Sequence, residues 1–418
     1  MRLDVVLSAL MTALLASSVN AMAFCSAYRG GYNYETAKTT YPELADRINT
    51  VQDQGLTPWY TDNSPKDSLE KVITNLSSKC GTNTKIPMVV YGIPNKDCEA
   101  GYSNLGFNKN FDDYKAFIQR LNKEFPNQHM IYIVEPDALG LLVNGGCAVK
   151  HEYKKYVQYV LETLSTNPNA ELYLDIGSWI ISGNPDAAAK VVNEVWPKNS
   201  KLKGISLNVS NYKKTDDMLA LCDQFATRTG RKDMKCIVDT SRNYRETPNG
   251  QWCNVKGAGL GVPPTQNTGK ARAAYYMWVK TPGLSDGECT HENREQSMLG
   301  PRAGNFFKEY FEMLWKNGYL ADKKATPSPP PKPAKPTETP APEPSTAKPT
   351  ETPAPSSAEP TSAPEPSTSS PAVAKTTMTT DSYVYCGTHP DKLALNAWCK
   401  QNCPSFCPED LCQLNSCN

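Results

Sequence analysis

Residues 130–140 read MIYIVEPDALG, an apolar run followed by two acids. Similar short apolar runs recur at 86–92 (IPMVVYG), 171–177 (ELYLDIG), 204–210 (GISLNVS), 235–241 (KCIVDTS) and 273–280 (AAYYMWVK). Nearly continuous apolar runs of this length are typical of strands that are buried on both faces. Candidate helices lie between them, at 112–125, 150–166 and 185–195. The repeated strand-then-helix order predicts an α/β fold whose parallel sheet is closed, or nearly closed, into a barrel.

The charge balance of the chain is close to neutral. It has 44 Lys and Arg against 43 Asp and Glu, which gives a net charge of +1. Because no block of basic residues stands out, we expect neither nucleic acid nor an anionic membrane as a partner. The four histidines are scattered, and the HExxH and Gly-rich phosphate-binding motifs are missing. We therefore expect no metal and no cofactor, and any chemistry should rest on carboxylates.

The first residues have the pattern of an export signal. Arg2 precedes a mostly apolar stretch at 5–16, and small residues then end in SVNAMA. Residues 1–23 are accordingly interpreted as a signal peptide, with an N-terminal membrane anchor as the alternative. A signal peptide predicts a secreted, extracellular protein, in which the 14 cysteines can form disulfides.

Composition changes sharply after the long N-terminal region, which we place at residues 24–322. Residues 323–381 are rich in Pro, Thr and Ser and contain KPTETPAP twice, so they are interpreted as an extended linker. Residues 382–418 then carry six cysteines, spaced C-x12-C-x3-C-x3-C-x4-C-x4-C. A unit this small has too little hydrophobic core to be stable without covalent cross-links, so we expect a disulfide-rich module. A zinc site is the alternative.

Carboxylates follow several of the predicted strands. They are Asp97, Glu135, Asp137, Asp175, Asp239 and Asp286. Functional residues of a parallel barrel lie where strands end and loops begin. A single acid there could be a helix N-cap, and Asp239 is open to that interpretation. Several acids converging on one rim suit a site that places an acid and a base around a glycosidic bond.

Several ordered motifs resemble glycoside hydrolase family 6, the cellulases with a distorted α/β barrel and inverting chemistry. They are MVVYGIPNKDC, IYIVEPDAL, YLD (173–175), LNVSNY (207–212), VDTSRN (238–243), QWCNVKGAGLG (251–261) and WVKTPG (278–283). The resemblance covers residues 24 to about 320. It implies a distorted parallel β/α barrel that acts on cellulose or another β-1,4-glucan.

The resemblance also implies roles for individual acids. Asp137 matches the catalytic acid that protonates the leaving oxygen. Asp97 matches the aspartate that keeps this acid protonated, because a nearby carboxylate disfavours the charged form. Asp286 matches a disputed base; the alternative is that the proton of the attacking water passes through other water molecules. Asp175 matches a supporting acid.

Further residues are implied to contact the substrate. They are Tyr91, Ser103, Trp59, Trp252, Lys280, Asp175 and Asn208. Ser103 matches the serine of a mobile loop that positions water, and the two tryptophans match sugar platforms; core packing is the alternative for each. The resemblance further implies the disulfides Cys98–Cys147 and Cys253–Cys289. Cys25 with Cys80, and Cys222 with Cys236, are then left to pair.

Five positions depart from the family pattern. Lys96 stands for an arginine, Leu105-Gly106 for Gly-Glu, Ser178 for a histidine and Leu284 for a glutamate. These departures concern substrate subsites more than the acid. The loops at 137–147 and 286–306 are short, which favours an open cleft and cleavage of internal bonds.

The alternatives are a cellobiohydrolase that acts from the non-reducing end, and a catalytically silent glucan-binding wall protein or surface antigen. The cysteine-rich module resembles repeats on secreted polysaccharide-active proteins. We expect it to bind insoluble polysaccharide through its aromatic residues, with a ligand-free capped tail as the alternative. The chain is expected to be a monomer, and of the sequons at Asn75 and Asn208 only the first to be glycosylated.

Overall fold

The computed structural model describes residues 22–322, apart from 64–65, 102, 105 and 199, and the two short strands at 383–385 and 412–414. The predicted signal peptide, the linker and most of the cysteine-rich module therefore lie outside the described residues. In the described part, no helix is long and apolar enough to cross a membrane.

Seven parallel strands form one sheet, in which spatial order follows chain order. The strands are β1 (Trp59–Thr61), β2 (Lys85–Tyr91), β3 (His129–Val134), β4 (Glu171–Asp175), β5 (Leu202–Leu207), β6 (Lys235–Asp239) and β7 (Ala273–Met277). All six predicted strands are confirmed within a few residues. The additional strand, β1, has only three residues, too few for a periodic pattern to show.

The sheet curls into a half-barrel, which confirms the predicted nearly closed form. Its two edges are β1 and β7, and a side chain spans the gap between them. The Trp59 indole Nε1 donates a hydrogen bond of 2.9 Å to the carbonyl of Val279, just beyond β7. At the opposite end of the strands, Lys85 of β2 pairs with Glu171 of β4 at 2.7 Å.

Helices precede, connect and follow the strands. They are α1 (Gly31–Thr40), α2 (Ala45–Gln52), α3 (Lys66–Lys79), α4 (Phe111–Glu124), α5 (Ala138–Asn144), α6 (Gly146–Lys150), α7 (Tyr153–Leu164), α8 (Ser178–Gly183), α9 (Pro185–Val195), α10 (Thr215–Arg228), α11 (Lys308–Lys316) and α12 (Tyr319–Asp322). A 3₁₀ turn at Pro42–Leu44 precedes α2.

Local sequence explains where the predicted helices begin. The Asn110 side chain caps α4 by accepting from the backbone N–H groups of Asp112 and Asp113, at 2.9 and 3.0 Å. Asn184 caps α9 in the same way, and Pro185 occupies its first turn. The helix predicted at 150–166 starts later, at α7, because Glu152 has a φ of 54° and interrupts it.

Both faces of the sheet are buried, as the apolar runs predicted. One face packs against the helices through residues such as Val90, Tyr132 and Leu174. The other face fills the interior of the half-barrel with a separate cluster that includes Ile133 and Ile237. The interior is thus a packed core, and it leaves only the ends of the strands to form a site.

Four disulfides join the described cysteines, and all four predicted pairs are confirmed. They are Cys25–Cys80, Cys98–Cys147, Cys222–Cys236 and Cys253–Cys289. In the cysteine-rich module, β8 (Tyr383–Tyr385) pairs antiparallel with β9 (Cys412–Leu414). The predicted disulfides of that module and its aromatic surface lie outside the described residues.

Candidate active site

A cleft of about 1320 Å³ lies at the carboxyl ends of the strands. All of the predicted catalytic and substrate-contacting residues line it, apart from Asp175 and Asn208. Those that line it are Trp59, Tyr91, Asp97, Ser103, Asp137, Trp252, Lys280 and Asp286. The position agrees with the general rule that ligands of parallel α/β proteins bind at this end of the sheet.

Asp137 lies three residues beyond Val134, the last residue of β3. Its φ of 67° is left-handed, an uncommon conformation outside glycine that turns the chain sharply out of the strand. Its backbone N–H donates to Asp175 Oδ1 at 3.0 Å. Burial, and then the negative charge of Asp97, raise the pKa of the Asp137 carboxyl to about 6. Asp137 therefore keeps its proton in mildly acidic solution, as a general acid requires.

Asp97 lies in the loop after β2, again with a positive φ, of 54°. Its Oδ2 accepts the backbone N–H of Ser103 at 2.7 Å, which draws the loop back toward it. The predicted proximity of Asp97 and Asp137 is therefore supported, since the charge of one raises the pKa of the other.

Asp175, at the end of β4, does not line the cleft. It is 1% exposed and lies behind Asp137, whose backbone N–H it accepts, while Ser206 Oγ donates to its Oδ2 at 3.1 Å. Burial and the charge of Asp137 raise the pKa of Asp175 well above its usual value. The prediction of a sugar contact is corrected here: Asp175 supports the acid from the side of the protein core.

The predicted substrate contact of Asn208 is also corrected. It is 0% exposed, and its amide donates to the carbonyls of Lys213 and Asp239 at 3.1 and 2.8 Å. Its Oδ1 accepts the N–H of Lys213 at 2.8 Å. With these bonds Asn208 shapes the turn after β5 and presents no surface to a sugar. The same burial supports the expectation that its sequon is not glycosylated.

Asp239 at the end of β6 is structural, but it caps no helix, since β7 is the next element along the chain. Its carboxylate accepts the backbone N–H groups of Ser210, Ser241, Val279 and Lys280 at 2.9–3.2 Å. It thereby joins the segments that follow three neighbouring strands.

Asp286 stands in a very different environment from Asp137. Arg242 donates to its Oδ2 at 2.6 Å, and Lys280 Nζ lies 3.0 Å from its Oδ1. Tyr212 Oη and the N–H of Asn254 each donate to Oδ2 at 3.0 Å. Although burial opposes ionisation, the two cations and these donors lower the pKa of Asp286. A carboxylate stabilised to this degree is a weak base, which disfavours the direct-base role.

Glu135, which the sequence placed at the strand end without a role, is buried below the cleft. Its carboxyl accepts from the N–H groups of Gly92 and Ile93 at 3.1 and 3.3 Å, and from Tyr114 Oη at 2.7 Å. Burial raises its pKa to about 7. Glu135 thus joins the segment leaving β2 to the segment leaving β3, the two that carry Asp97 and Asp137.

Trp59 and Tyr91 meet edge to face at 5.6 Å on one side of the cleft. Trp179, which the sequence analysis missed, is 39% exposed and also lines it. Its indole lies so close to Gly140 that a Cβ there would be 2.4 Å from the ring. The two departures Ser178 and Leu284 also line the cleft. The aromatic residue in SWIISG, directly after the fourth strand, was the available signal for Trp179.

In the part of the chain that the structure describes, no group of His, Cys, Asp and Glu is arranged to hold a metal ion. The polar groups of the cleft instead include paired carboxylates, the two lysines Lys213 and Lys280, and several hydroxyl and amide side chains. A cleft of this kind, with one acid kept protonated by another at the rim of a parallel half-barrel, defines a glycoside hydrolase.

The particular family follows from the comparison with known proteins. The chain belongs to glycosyl hydrolases family 6, whose model matches residues 26–318, so the resemblance in the sequence is confirmed.

Curated relatives carry names of two kinds. A Fusarium oxysporum protein, provisionally assigned as an endoglucanase type B, is 33% identical over 58% of this chain and 62% of its own length. An Aspergillus fumigatus protein, provisionally assigned as a 1,4-β-D-glucan cellobiohydrolase C, is 31% identical over 57% of this chain and 63% of its own. The chain thus covers less than two thirds of the length of these relatives.

A solved structure supports the fold and the family. The endoglucanase Cel6 of Mycobacterium tuberculosis, in complex with methyl-cellobiosyl-4-deoxy-4-thio-β-D-cellobioside, is 27% identical. It aligns with a TM-score of 0.61 over 71% of this chain and 98% of that one.

Proposed function

We propose that this protein is a secreted, inverting β-1,4-glucanase that hydrolyses internal bonds of cellulose or a related β-glucan, with Asp137 as its general acid. The observation that carries the proposal is the Asp97–Asp137 pair in the cleft, in which burial and the Asp97 charge raise the pKa of Asp137 to about 6. Membership of the family and the cello-oligosaccharide analogue bound to the Mycobacterium tuberculosis relative support a β-glucan as substrate.

In the proposed reaction, the Asp137 carboxyl gives its proton to the oxygen of the leaving sugar as the glycosidic C–O bond breaks. Water attacks the anomeric carbon from the opposite face, which inverts its configuration. Ser103 lines the cleft beside Asp97, to whose carboxylate its N–H is bonded, and this position supports a role in orienting the water.

The attacking water must also lose a proton. Transfer straight to Asp286 would have to compete with its bonds to Arg242, Lys280 and Tyr212. We therefore favour transfer through further water molecules over direct transfer to Asp286. In this view Asp286 holds Lys280 at the cleft, where the ammonium group can bind a sugar hydroxyl.

Aromatic and polar residues support binding of a sugar chain along the cleft. Trp59, Trp252 and Trp179 all line it, and flat apolar rings pack well against the C–H faces of pyranose rings. Cleavage of internal bonds is supported by the short connection after the acid, where α5 begins at the very next residue and Cys147 is tied to Cys98. Action from chain ends is the second candidate, since relatives carry both kinds of name.

The remaining parts of the proposal concern the ends of the chain. The signal-like N-terminus supports export, and the Pro-rich segment supports a spacer. The cysteine-rich module would hold the enzyme at an insoluble polysaccharide and raise its local concentration there. Depletion of residues 382–418 from solution by crystalline cellulose or by chitin tests this, and no depletion by either would contradict it.

The decisive assay measures reducing sugar released from carboxymethyl cellulose, amorphous cellulose and cello-oligosaccharides by wild type and by Asp137→Asn. Turnover by wild type and its loss in the variant are expected. No turnover on any β-glucan would support the silent binding protein instead. Viscosity that falls well ahead of sugar release indicates internal cleavage, whereas release of cellobiose with little loss of viscosity indicates a cellobiohydrolase.

A further inference from the structure

Asp62, the residue after β1, contacts both ends of the loop that carries Asp97 and Ser103. Its side chain is 2% exposed, and its Oδ1 forms an ion pair with Lys96 Nζ, whose side chain is 3% exposed. Its Oδ2 accepts the N–H of Asn108 at 2.9 Å, and its backbone carbonyl accepts the N–H of Phe107 at 3.1 Å. One residue thus holds the start and the end of the segment 96–108.

The next residue extends this contact to the middle of the loop. Asn63 Oδ1 accepts from Lys96 Nζ at 2.8 Å, and Asn63 Nδ2 donates to the carbonyl of Ser103 at 3.2 Å. Ser103 in turn donates its N–H to Asp97 Oδ2. A continuous set of bonds therefore runs from the end of β1 to two residues of the cleft.

Gly106 is required for this arrangement. A Cβ at this position would lie 2.1 Å from Asp62 Oδ2 and 2.6 Å from its carboxyl carbon. A side chain at residue 106 would therefore exclude the Asp62 carboxylate from its place. Two of the departures from the family pattern, Lys96 and Gly106, thus meet at a single residue, Asp62.

A buried ion pair of this kind contributes more to position than to stability. The cost of removing two charges from water roughly cancels their attraction, whereas removal of one partner leaves an unpaired buried charge. The bonds of Asp62 to two backbone amides give it directional contacts that a simple charge pair lacks. The geometry suits a device that holds the loop in one place.

We propose that Asp62 is a positioning residue: its carboxylate, through Lys96, Asn63 and the amide of residue 108, fixes the 96–108 loop so that Asp97 and Ser103 stay aligned with Asp137. The effect on turnover rests on the proposed glucanase function. The attachment of the loop to Asp62, called the tether below, does not depend on that function. Hydrogen exchange can measure the tether even in a protein without activity.

The test uses the full chain with Asp62→Asn, which keeps the shape and an acceptor but removes the charge. We expect hydrogen exchange of the amides of residues 103, 107 and 108 to rise about tenfold or more, while the amides of the sheet stay unchanged. Because a small misplacement of reacting groups has a large effect, kcat on soluble β-glucan should fall by about 10- to 100-fold with little change in KM. Glu194→Gln, which breaks an exposed ion pair far from the cleft, is the matched control and should match wild type.

A second variant, Asn63→Ala, keeps the buried Asp62–Lys96 pair and removes the two side-chain bonds of Asn63, one from Lys96 Nζ and one to the carbonyl of Ser103. Faster exchange at residue 103 alone, with a smaller fall in kcat, is expected, and this variant keeps the proposal testable if Asp62→Asn fails to fold. Wild-type exchange and wild-type kcat in both variants would overturn it. Faster exchange in a protein whose wild type cleaves no β-glucan would leave the tether standing and refute the proposed function.

Discussion

The two sides of the cleft hold aspartates in opposite states. On the acid side, formed by Asp97 and Asp137 with the buried Asp175 behind them, like charges and burial raise the pKa of Asp137 and of Asp175. On the cation side, Arg242 and Lys280 lower the pKa of Asp286. All these aspartates follow strands of one sheet, so the strand end sets only their location. The neighbouring side chains decide which one carries a proton.

The largest effect is expected from loss of the acid. Asp137→Asn cannot give a proton to the leaving oxygen, so kcat on cello-oligosaccharides should fall at least about 10³-fold. The fall should be smaller for substrates with acidic leaving groups, such as aryl cellobiosides, because these need less protonation. An equal loss on both substrates would indicate that Asp137 is not the acid.

The next largest effect concerns the contribution of the cation side to the stability of the fold. Asp286→Asn leaves the buried Arg242 guanidinium without its carboxylate, so the free energy of unfolding in urea should fall by about 3 kcal/mol or more. Asp53→Asn, which breaks the exposed pair with Arg29, should cost about 0.5 kcal/mol or less.

The pH dependence of the same variant follows from the sign of the shift. A carboxyl group whose pKa is lowered by folding stabilises the fold at pH values above its unfolded-state pKa. This stabilisation is lost as the pH falls through the pKa of the folded state. Acid unfolding of wild type should therefore steepen below about pH 4, and this part should be missing from Asp286→Asn. The same acid profile in both proteins would contradict the ion pairs.

Asp97→Asn should make the electrostatic environment of the acid side more like that of the cation side. Loss of the neighbouring charge lowers the pKa of Asp137, so that less of it is protonated at a given pH. We expect the alkaline limb of kcat/KM to move to lower pH and activity at pH 6 to fall by about fivefold, because a shift of about one pKa unit lowers the protonated fraction from about one half to about one tenth. Glu99→Gln removes a nearby carboxylate that also lines the cleft, and it should leave this limb in place.

The smallest effect concerns the stability cost of the acid itself. Because the pKa of Asp137 is raised to about 6, the fold loses stability as the pH rises from about 4 through that value. Asp137→Asn has no such loss, so it should be more stable than wild type at pH 7 by on the order of 2 kcal/mol, allowing for partial exposure. At pH 4 the two should unfold alike, and a gain that does not depend on pH would contradict this account.

The sheet was largely predictable because its strands are apolar on both faces and bear acids at their ends. Strand β1 was not, since three residues carry no periodicity. The start of α7 depended on the backbone conformation of Glu152, which residue type alone does not reveal. In the site, Asp97 and Asp137 were predicted from their motifs. Asp175 and Asn208 were predicted to contact substrate, but both are buried and do not line the cleft.

The pairing of Lys96 with Asp62 could not be read from the sequence. The two residues are 34 positions apart on different loops, and their contact depends on a glycine at a third position. Trp179 was missed for a related reason: its position beside Gly140 and along the cleft depends on the packing of two helices that are distant in sequence.

The four disulfides described above have a consequence for maturation of the chain. They join each cysteine of the catalytic region to the next one along the chain, with separations of 55, 49, 14 and 36 residues, so no loop encloses or crosses another. If the chain is exported as proposed, each pair of partners emerges before any later cysteine of this region. We therefore expect an oxidant alone, without an isomerase, to restore the four native disulfides of the reduced chain.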